Sequence, residues 1–308
     1  MKDNFFQQLA WATSDFYQFA FDRTFFRGGQ LFTTDIHLWT IPVEFWESMR
    51  LFIIVAGGCK LKRSLRVYLF LPLLYCFMLY NGLWDASLFV FGHFLAELHA
   101  DMPPITSADQ LPINEKVLDE PSVPLKSILD ITSLLAGLHL LSYPLFGVDP
   151  VSTTGYGFLV GMTPPKYPLH NKKGQDESSY FWQSVGASLV VWALLRMPRW
   201  RDRALCNSVA QYLGRVSFSL YLLHGHIARS LGYSTIVRGW EAAGIFDWDK
   251  RGVARNVIEG HESTRTAVVI GSLFITVPVS LWSADVFWRG VDVQSVRFVR
   301  WLEGQIRR

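Results

Sequence analysis

HLWTIPVEFWESMRLFIIVAGG, residues 37–58, is an apolar run broken near its start by Glu44, Glu47 and Arg50. About 20 helical residues at 1.5 Å rise cover the ~30 Å hydrocarbon layer of a bilayer, so a run of this length predicts a membrane-crossing helix. Ionisable groups are costly in hydrocarbon unless they pair or face a polar cavity. Glu47 and Arg50 are three residues apart and can pair on one helix face. Glu44 is then left over on the same side, which makes it the first candidate for substrate contact. His37 would share that face only if the helix began early, because Pro42 belongs naturally in a first turn. Two readings of His37 and Glu44 stay open: an acid/base or hydroxyl-binding pair at the outer mouth, or an interfacial histidine and an acid paired with Arg50.

The composition around this stretch agrees with a membrane setting. Half of the 308 residues are hydrophobic, 18% are charged and twelve are tryptophan, whereas a soluble domain carries about 25% charge. Trp39, Trp84, Trp182 and Trp288 sit at the ends of apolar runs, where indole rings anchor helices at the interface. A net charge of +3 offers no nucleic-acid surface. Cys59, Cys76 and Cys206 have no CxxC spacing, which argues against a zinc site or a disulfide framework.

Six further apolar runs follow residues 37–58, at 65–80, 86–98, 128–143, 180–195, 212–231 and 266–288. The predicted fold is all-α, a polytopic membrane bundle of seven helices, with Pro72 kinking the second. Basic residues accumulate on the cytoplasmic side of short loops. Lys60, Lys62, Arg63 and Arg66 follow the first run, Arg196, Arg199, Arg201 and Arg203 the fifth, and Arg289, Arg297, Arg300, Arg307 and Arg308 the last. Seven crossings put all three groups on one side and the C-terminus in the cytoplasm. Residues 1–36, rich in phenylalanine but interrupted by polar residues, read as an extracytoplasmic interfacial segment. Residues 37–301 form the membrane domain and 302–308 a cytoplasmic tail. Residues 99–125 and 145–179 read as loops, being polar and punctuated by Gly and Pro.

The sixth run, YLGRVSFSLYLLHGHIARSL, is a second polar island. Ser217, Tyr221 and His224 recur at intervals of four and three and line one face, while His226 points to nearly the opposite side. A histidine facing a bundle interior can act as a general base or donor near neutral pH. It can equally bond a carbonyl or serine across a helix interface and only hold the packing. Asp285 and Arg289 read as a structural i,i+4 pair, and Glu97, His99 and Asp101 as a structural group. HExxH, P-loop, GxSxG and helix-opening GxGxxG motifs are absent, which argues against a zinc protease, an NTPase pump, a lipase-type hydrolase and a dinucleotide enzyme.

HLWTIPVEFWESMRLFIIV, FVFGHFLAEL and YLGRVSFSLYLLHGHI, ending in DVFWRGVDVQSVRFVRWLE, together resemble the acyltransferase 3 family of multi-spanning membrane O-acyltransferases, its fungal branch in particular. The resemblance runs from about His37 to Trp301. It implies a helical membrane bundle, with no bound cofactor, that moves an acyl group, often acetyl from acyl-CoA, onto a hydroxyl of a carbohydrate, lipid or small metabolite. The matching positions are Trp39, Pro42, Glu44 and Phe45 in the first stretch, and Gly214, Ser217, Ser219, Tyr221 and His224 in the second. By that likeness Glu44 helps shape the acceptor pocket, and the Ser217, Ser219, Tyr221 and His224 region borders the acyl-transfer chamber; His37 and Trp39 are further substrate-binding candidates. His224 and Glu44 are its catalytic candidates in this chain. The family's catalytic histidine lies behind a basic residue in a first membrane helix, a pattern not found here, so the resemblance implies the C-terminal part of such an enzyme. The implied location is a plasma membrane or endomembrane. Two other classes remain, a transporter with Glu44 and His224 lining a path, and a non-catalytic membrane protein whose polar island packs helices. Glu44→Gln and His224→Ala separate them by abolishing product, altering uptake, or lowering stability alone.

Overall fold

The computed structural model describes residues 6–10, 13–14, 36–100, 124–145, 148–169, 177–245, 247–248, 254–255 and 262–306. Most of the 1–36 segment, most of the 99–125 loop, the HNKKG stretch and the last two arginines of the tail lie outside them. The described chain is helical apart from a two-residue antiparallel ladder, β1 (Asp247–Trp248) with β2 (Ala254–Arg255). It divides into two compact units, residues 43–204 and residues 1–42 with 205–308.

All seven apolar runs are helical. In order they lie in α1 (Thr40–Gly58), α2 (Arg63–Tyr80), α3 (Trp84–His99), α4 (Pro124–Leu141), α5 (Ser178–Arg196), α7 (Ser208–Ile227) and α9 (Glu262–Phe287). Short α6 (Pro198–Leu205) lies between α5 and α7, α8 (Tyr233–Ala242) continues α7, and α10 (Val293–Ile306) continues α9. Among the described residues two continuous helices, Arg63–Tyr80 and Glu262–Ile306, are both long and apolar enough to cross a bilayer; Ile128–Leu141 is apolar but shorter. α1 carries Glu44, Glu47 and Arg50, and α5 carries four serines and a glutamine, which dilutes their hydropathy.

In the unit of residues 43–204, α2 and α3 form a tight hairpin. Gly82, at φ +84°, closes α2, with its N–H donating to Leu79 O at 3.3 Å and the Leu83 N–H to Met78 O at 3.0 Å. This double bond pattern with a left-handed glycine is a Schellman cap. Leu83 then packs on the Leu71, Met78, Ala86 and Val90 core. Ahead of Pro72, the residue expected to kink α2, the helix widens into a π turn over Arg66–Phe70. Widening relieves the clash between the proline ring and the carbonyl one turn back.

α4 and α5 cross at glycines. A Cβ on Gly186 would stand 2.8 Å from Gly137 O and from Leu141 N, and one on Gly137 would stand 2.9 Å from Gly186 O. α5 docks on the hairpin by stacking Tyr180 on Trp84, with ring centroids 5.1 Å apart, and by accepting the Tyr75 hydroxyl on Ser188 Oγ at 3.1 Å. Asp130, buried on α4, accepts from Arg196 Nε at 2.6 Å while the arginine stays partly exposed. Removing one partner of a buried pair costs more when the survivor is the buried one. Arg196→Met should therefore destabilise by about 3–5 kcal/mol, and Asp130→Asn by clearly less. Chemical unfolding in detergent that ranks the two variants the other way would refute this asymmetry.

The 148–169 connection folds back onto the helix ends. Tyr143, Leu159 and Trp182 form a buried cluster, Trp182 Nε1 donates to Thr163 Oγ1 at 2.9 Å, and the Tyr167 hydroxyl donates to Leu79 O at 2.7 Å. Burial pushes the Tyr167 hydroxyl far above its ordinary 10.0, and the nearby Asp85 and Tyr75 add to the shift. Above pH 10 the unfolded chain gives up this proton and the folded chain keeps it, so stability falls as pH rises. Tyr167→Phe is expected to flatten the loss of melting temperature between pH 9 and 11, read by thermal unfolding.

In the other unit, Asn207 caps α7 by accepting the Ala210 N–H at 2.9 Å. After the π turn Ala228–Gly232, α8 ends in a second glycine cap, Gly244 at φ +67°. The π turn and α8 pack antiparallel on α9 in regular step, Gly239 against Val268, Thr235 Oγ1 2.7 Å from Ser272 Oγ, and Gly232 against Thr276. Both units carry many large exposed side chains, among them Ile53 at 74%, Tyr68 at 76% and Phe274 at 78%.

Candidate active site

The two stretches that carry the acyltransferase resemblance meet at α7. The 3₁₀ turn Ile36–Trp39 packs on this helix, and Thr40, the first residue of α1, donates to the Tyr221 hydroxyl from Oγ1 at 2.8 Å and from its N–H at 3.3 Å. The phenolic oxygen accepts both bonds. His224 Nδ1 lies 2.6 Å from the Tyr221 carbonyl. A carbonyl only accepts, so Nδ1 carries the hydrogen, and in a neutral imidazole the lone pair is on Nε2. The two rings tilt by 36° with centroids 5.6 Å apart. Thr40, Tyr221 and His224 thus form one linked set that brings a phenol and an imidazole together. A base and an oxyanion donor are what acyl transfer to a hydroxyl requires.

Ser217 lies on the same face, exposed, and donates to Gly214 O at 2.8 Å. Ser219 is turned away from that face, since two helical residues rotate by about 200°. It is fully buried, and its hydroxyl has no hydrogen-bond partner among the described residues. His226 is exposed. Trp39 is exposed, and the backbone of His37 lies in the 3₁₀ turn while its side chain is outside the described residues. Glu44 is exposed and belongs to the unit of residues 43–204. Arg50 pairs with the buried Glu47 at 2.7 Å, as the spacing predicts. Thr40 was not singled out from the sequence; a hydroxyl wedged between Trp39 and the helix-opening Pro42 was its one local signal.

A second polar group was also missed. Arg66, read above as a topology signal, bonds Glu97 at 2.9 Å, Arg63 Nη2 donates to Glu97 O at 2.6 Å, and His93 Nε2 stands 4.0 Å from Glu97 Oε1. Glu97 is thus held by ion pairs, and Asp285 pairs with Arg289 at 2.8 Å, while Asp101 lies outside the described residues. His99 Nδ1 bonds Leu95 O of its own helix at 2.8 Å. Among the described residues no group of three or more His, Cys, Asp or Glu is placed to hold a metal ion.

The chain is similar to named fungal acyltransferases. It is 24% identical over 268 residues to the O-acetyltransferase PaAT-1 of Phomopsis amygdali, covering 87% of this chain and 48% of that protein. It is 27% identical over 217 residues to the acyltransferase clz18 of Cochliobolus lunatus, covering 67% and 41%, and 25% identical over 216 residues to the acyltransferase R4 of a Phoma species, covering 68% and 42%. The chain thus spans about half the length of the curated relatives it matches. No family model matches it, and no solved structure does.

Proposed function

We propose that this chain is the part of a membrane-embedded O-acyltransferase that moves an acyl group, acetyl in the first instance, from acyl-CoA to a hydroxyl-bearing acceptor. The observation that carries this reading is the Thr40, Tyr221 and His224 set, assembled from the two stretches that the resemblance singles out. The names of its relatives agree with acyl transfer. In the proposed reaction His224 Nε2 takes the acceptor's O–H proton as its oxygen attacks the thioester carbonyl. The Tyr221 hydroxyl donates to the oxyanion; the C–S bond then breaks and the CoA thiolate leaves with the proton from the imidazolium. The resemblance assigns Glu44 to the acceptor pocket and the Ser217 and Ser219 region to the border of the acyl-transfer chamber, and His37 and Trp39 are further substrate-binding candidates.

The same reading puts the acyltransferase-3-like domain, residues 37–301, in a plasma membrane or endomembrane with the C-terminus cytoplasmic. Exposed apolar side chains on this scale are foreign to a water-facing surface and natural against lipid. Helices too polar to cross alone can cross within a bundle, where Glu47 and Arg50 satisfy one another. The experiment is acylation by the full-length natural protein in membranes, with radiolabelled acetyl-CoA and a panel of alcohols. A labelled ester is the expected result. Label that crosses the membrane without ever forming an ester would overturn the proposal in favour of transport.

A further inference from the structure

α10, VQSVRFVRWLEGQI, buries none of its side chains among the described residues, yet its sequence is not that of a fully solvated helix. At 100° per residue Phe298, Leu302, Ile306 and Val299 fall within about 100° of one another, and Arg297 and Arg300 stand on the opposite side about 60° apart. Phe298 is 59% exposed and Ile306 76%. Trp301 stacks on Phe298 at one border of the apolar stripe, with ring centroids 5.8 Å apart, and Glu303, the single acid of the helix, lies at the other border. Two more arginines, Arg307 and Arg308, follow in the sequence.

The helix also stands where lipid is close. α9, the π turn Trp288–Asp292 and α10 run continuously through 45 residues, Glu262–Ile306. At 1.5 Å rise that is about 68 Å, more than twice the ~30 Å of hydrocarbon in a bilayer. With the apolar run 266–288 filling the hydrocarbon, α10 starts next to the headgroups. Gly290 sits in the middle of the π turn, and π turns are among the few places where a long helix bends sharply.

We propose that the helix bends at Trp288–Asp292 and that α10 lies along the membrane surface, its Phe298, Val299, Leu302 and Ile306 stripe in the acyl boundary and Arg297 and Arg300 on anionic phospholipid headgroups. This rests on the membrane placement in the reading above and not on the chemistry of the Thr40, Tyr221 and His224 set. Running straight on, α10 would hold its apolar stripe in water. An apolar stripe opposite a cationic face is what an interfacial helix needs, and a phosphate is an anion that guanidinium groups grip well. The anionic cytoplasmic leaflet supplies both the lipid and the charge.

The test uses nitroxide labels, placed one at a time by Phe274→Cys, Leu302→Cys and Gly304→Cys on the full-length protein with its native cysteines replaced by serine. All three positions are open, so the labels leave the fold in place. The protein is reconstituted in vesicles of phosphatidylcholine alone, or with about 30% phosphatidylserine as the anionic lipid. Collision with oxygen reports lipid, and collision with a water-soluble nickel chelate reports water. In the anionic vesicles positions 274 and 302 are expected to report lipid and position 304, on the arginine side, water. Arg297→Gln with Arg300→Gln should lower the lipid-to-water ratio at position 302 about 25-fold there, roughly fivefold for each arginine, and change little in neutral vesicles. Water at position 302, or a label there that ignores both the arginines and the phosphatidylserine, would overturn the proposal. So would shielding of position 302 from both reagents, which would mean that protein covers the stripe. Each of these with lipid at position 274 sinks the role of α10 and spares the membrane placement. Water at position 274 would sink the placement itself.

Discussion

Gly186→Val is expected to prevent folded protein from accumulating, and Gly186→Ala to lower the thermal aggregation midpoint sharply. The reason is that α4 and α5 touch through backbone. A Cβ on Gly186 would stand 2.8 Å from both Gly137 O and Leu141 N, and one on Gly137 2.8 Å from Val190 Cγ2. Side-chain clashes relax by rotation, but a carbonyl and an amide inside two helices move only if the helices separate. Separation would strip contact from the Tyr143, Leu159 and Trp182 cluster beside the crossing. Overpacking usually costs about 1–3 kcal/mol, and Ala alone should reach the upper part of that range. Val adds two further carbons against the same backbone, which is a large part of the ~5–15 kcal/mol that holds a typical domain together. Gly92→Ala is the control: it meets open space and replaces the poorest helix former but proline, so it should be neutral or slightly stabilising. Size-exclusion profiles in detergent check all three, and an unchanged midpoint for Gly186→Val would show that α4 and α5 do not depend on this crossing.

Helix positions were legible in the sequence because hydrophobic runs bounded by glycine, proline and charge leave few alternatives. Local pairs were legible for the same kind of reason: Glu47 with Arg50 and Asp285 with Arg289 are one turn apart, and helix geometry fixes such neighbours. What joins distant elements was hidden. Nothing in Gly137 and Gly186 announces that they face each other, and Asp130 with Arg196 could be suspected only as a lone acid in an apolar run. Arg66 illustrates the limit, since a basic loop residue serves a topology rule and an ion pair to Glu97 equally well. The π turn before Pro72 depends on how a helix yields to its own strain, which spacing does not report. For the site, Tyr221 and His224 could be read from their three-residue spacing, but the Thr40 partner lies 181 residues away in the chain.

His224→Ala should lower kcat for ester formation about 10²- to 10⁴-fold, the usual contribution of a positioned general base. Its Nδ1 hydrogen bond goes to a backbone carbonyl, so Tyr221→Phe leaves that bond and the imidazole's orientation in place. The phenylalanine variant therefore isolates the hydroxyl. If that hydroxyl donates to the oxyanion, kcat falls about 10²-fold or more with KM little changed. A merely structural hydroxyl would show instead as lost stability, through the Thr40 bond at 2.8 Å, with kcat per folded molecule preserved. Thr40→Val reaches the reaction only through Tyr221, so its effect should be smaller than that of Tyr221→Phe and should vanish in the double variant. His226→Ala, on an exposed side of the same helix, should leave both constants as they are. An enzyme that kept its rate within a few-fold after His224→Ala would take its base from elsewhere. The Thr40, Tyr221 and His224 set would then be packing between the entrance of α1 and α7.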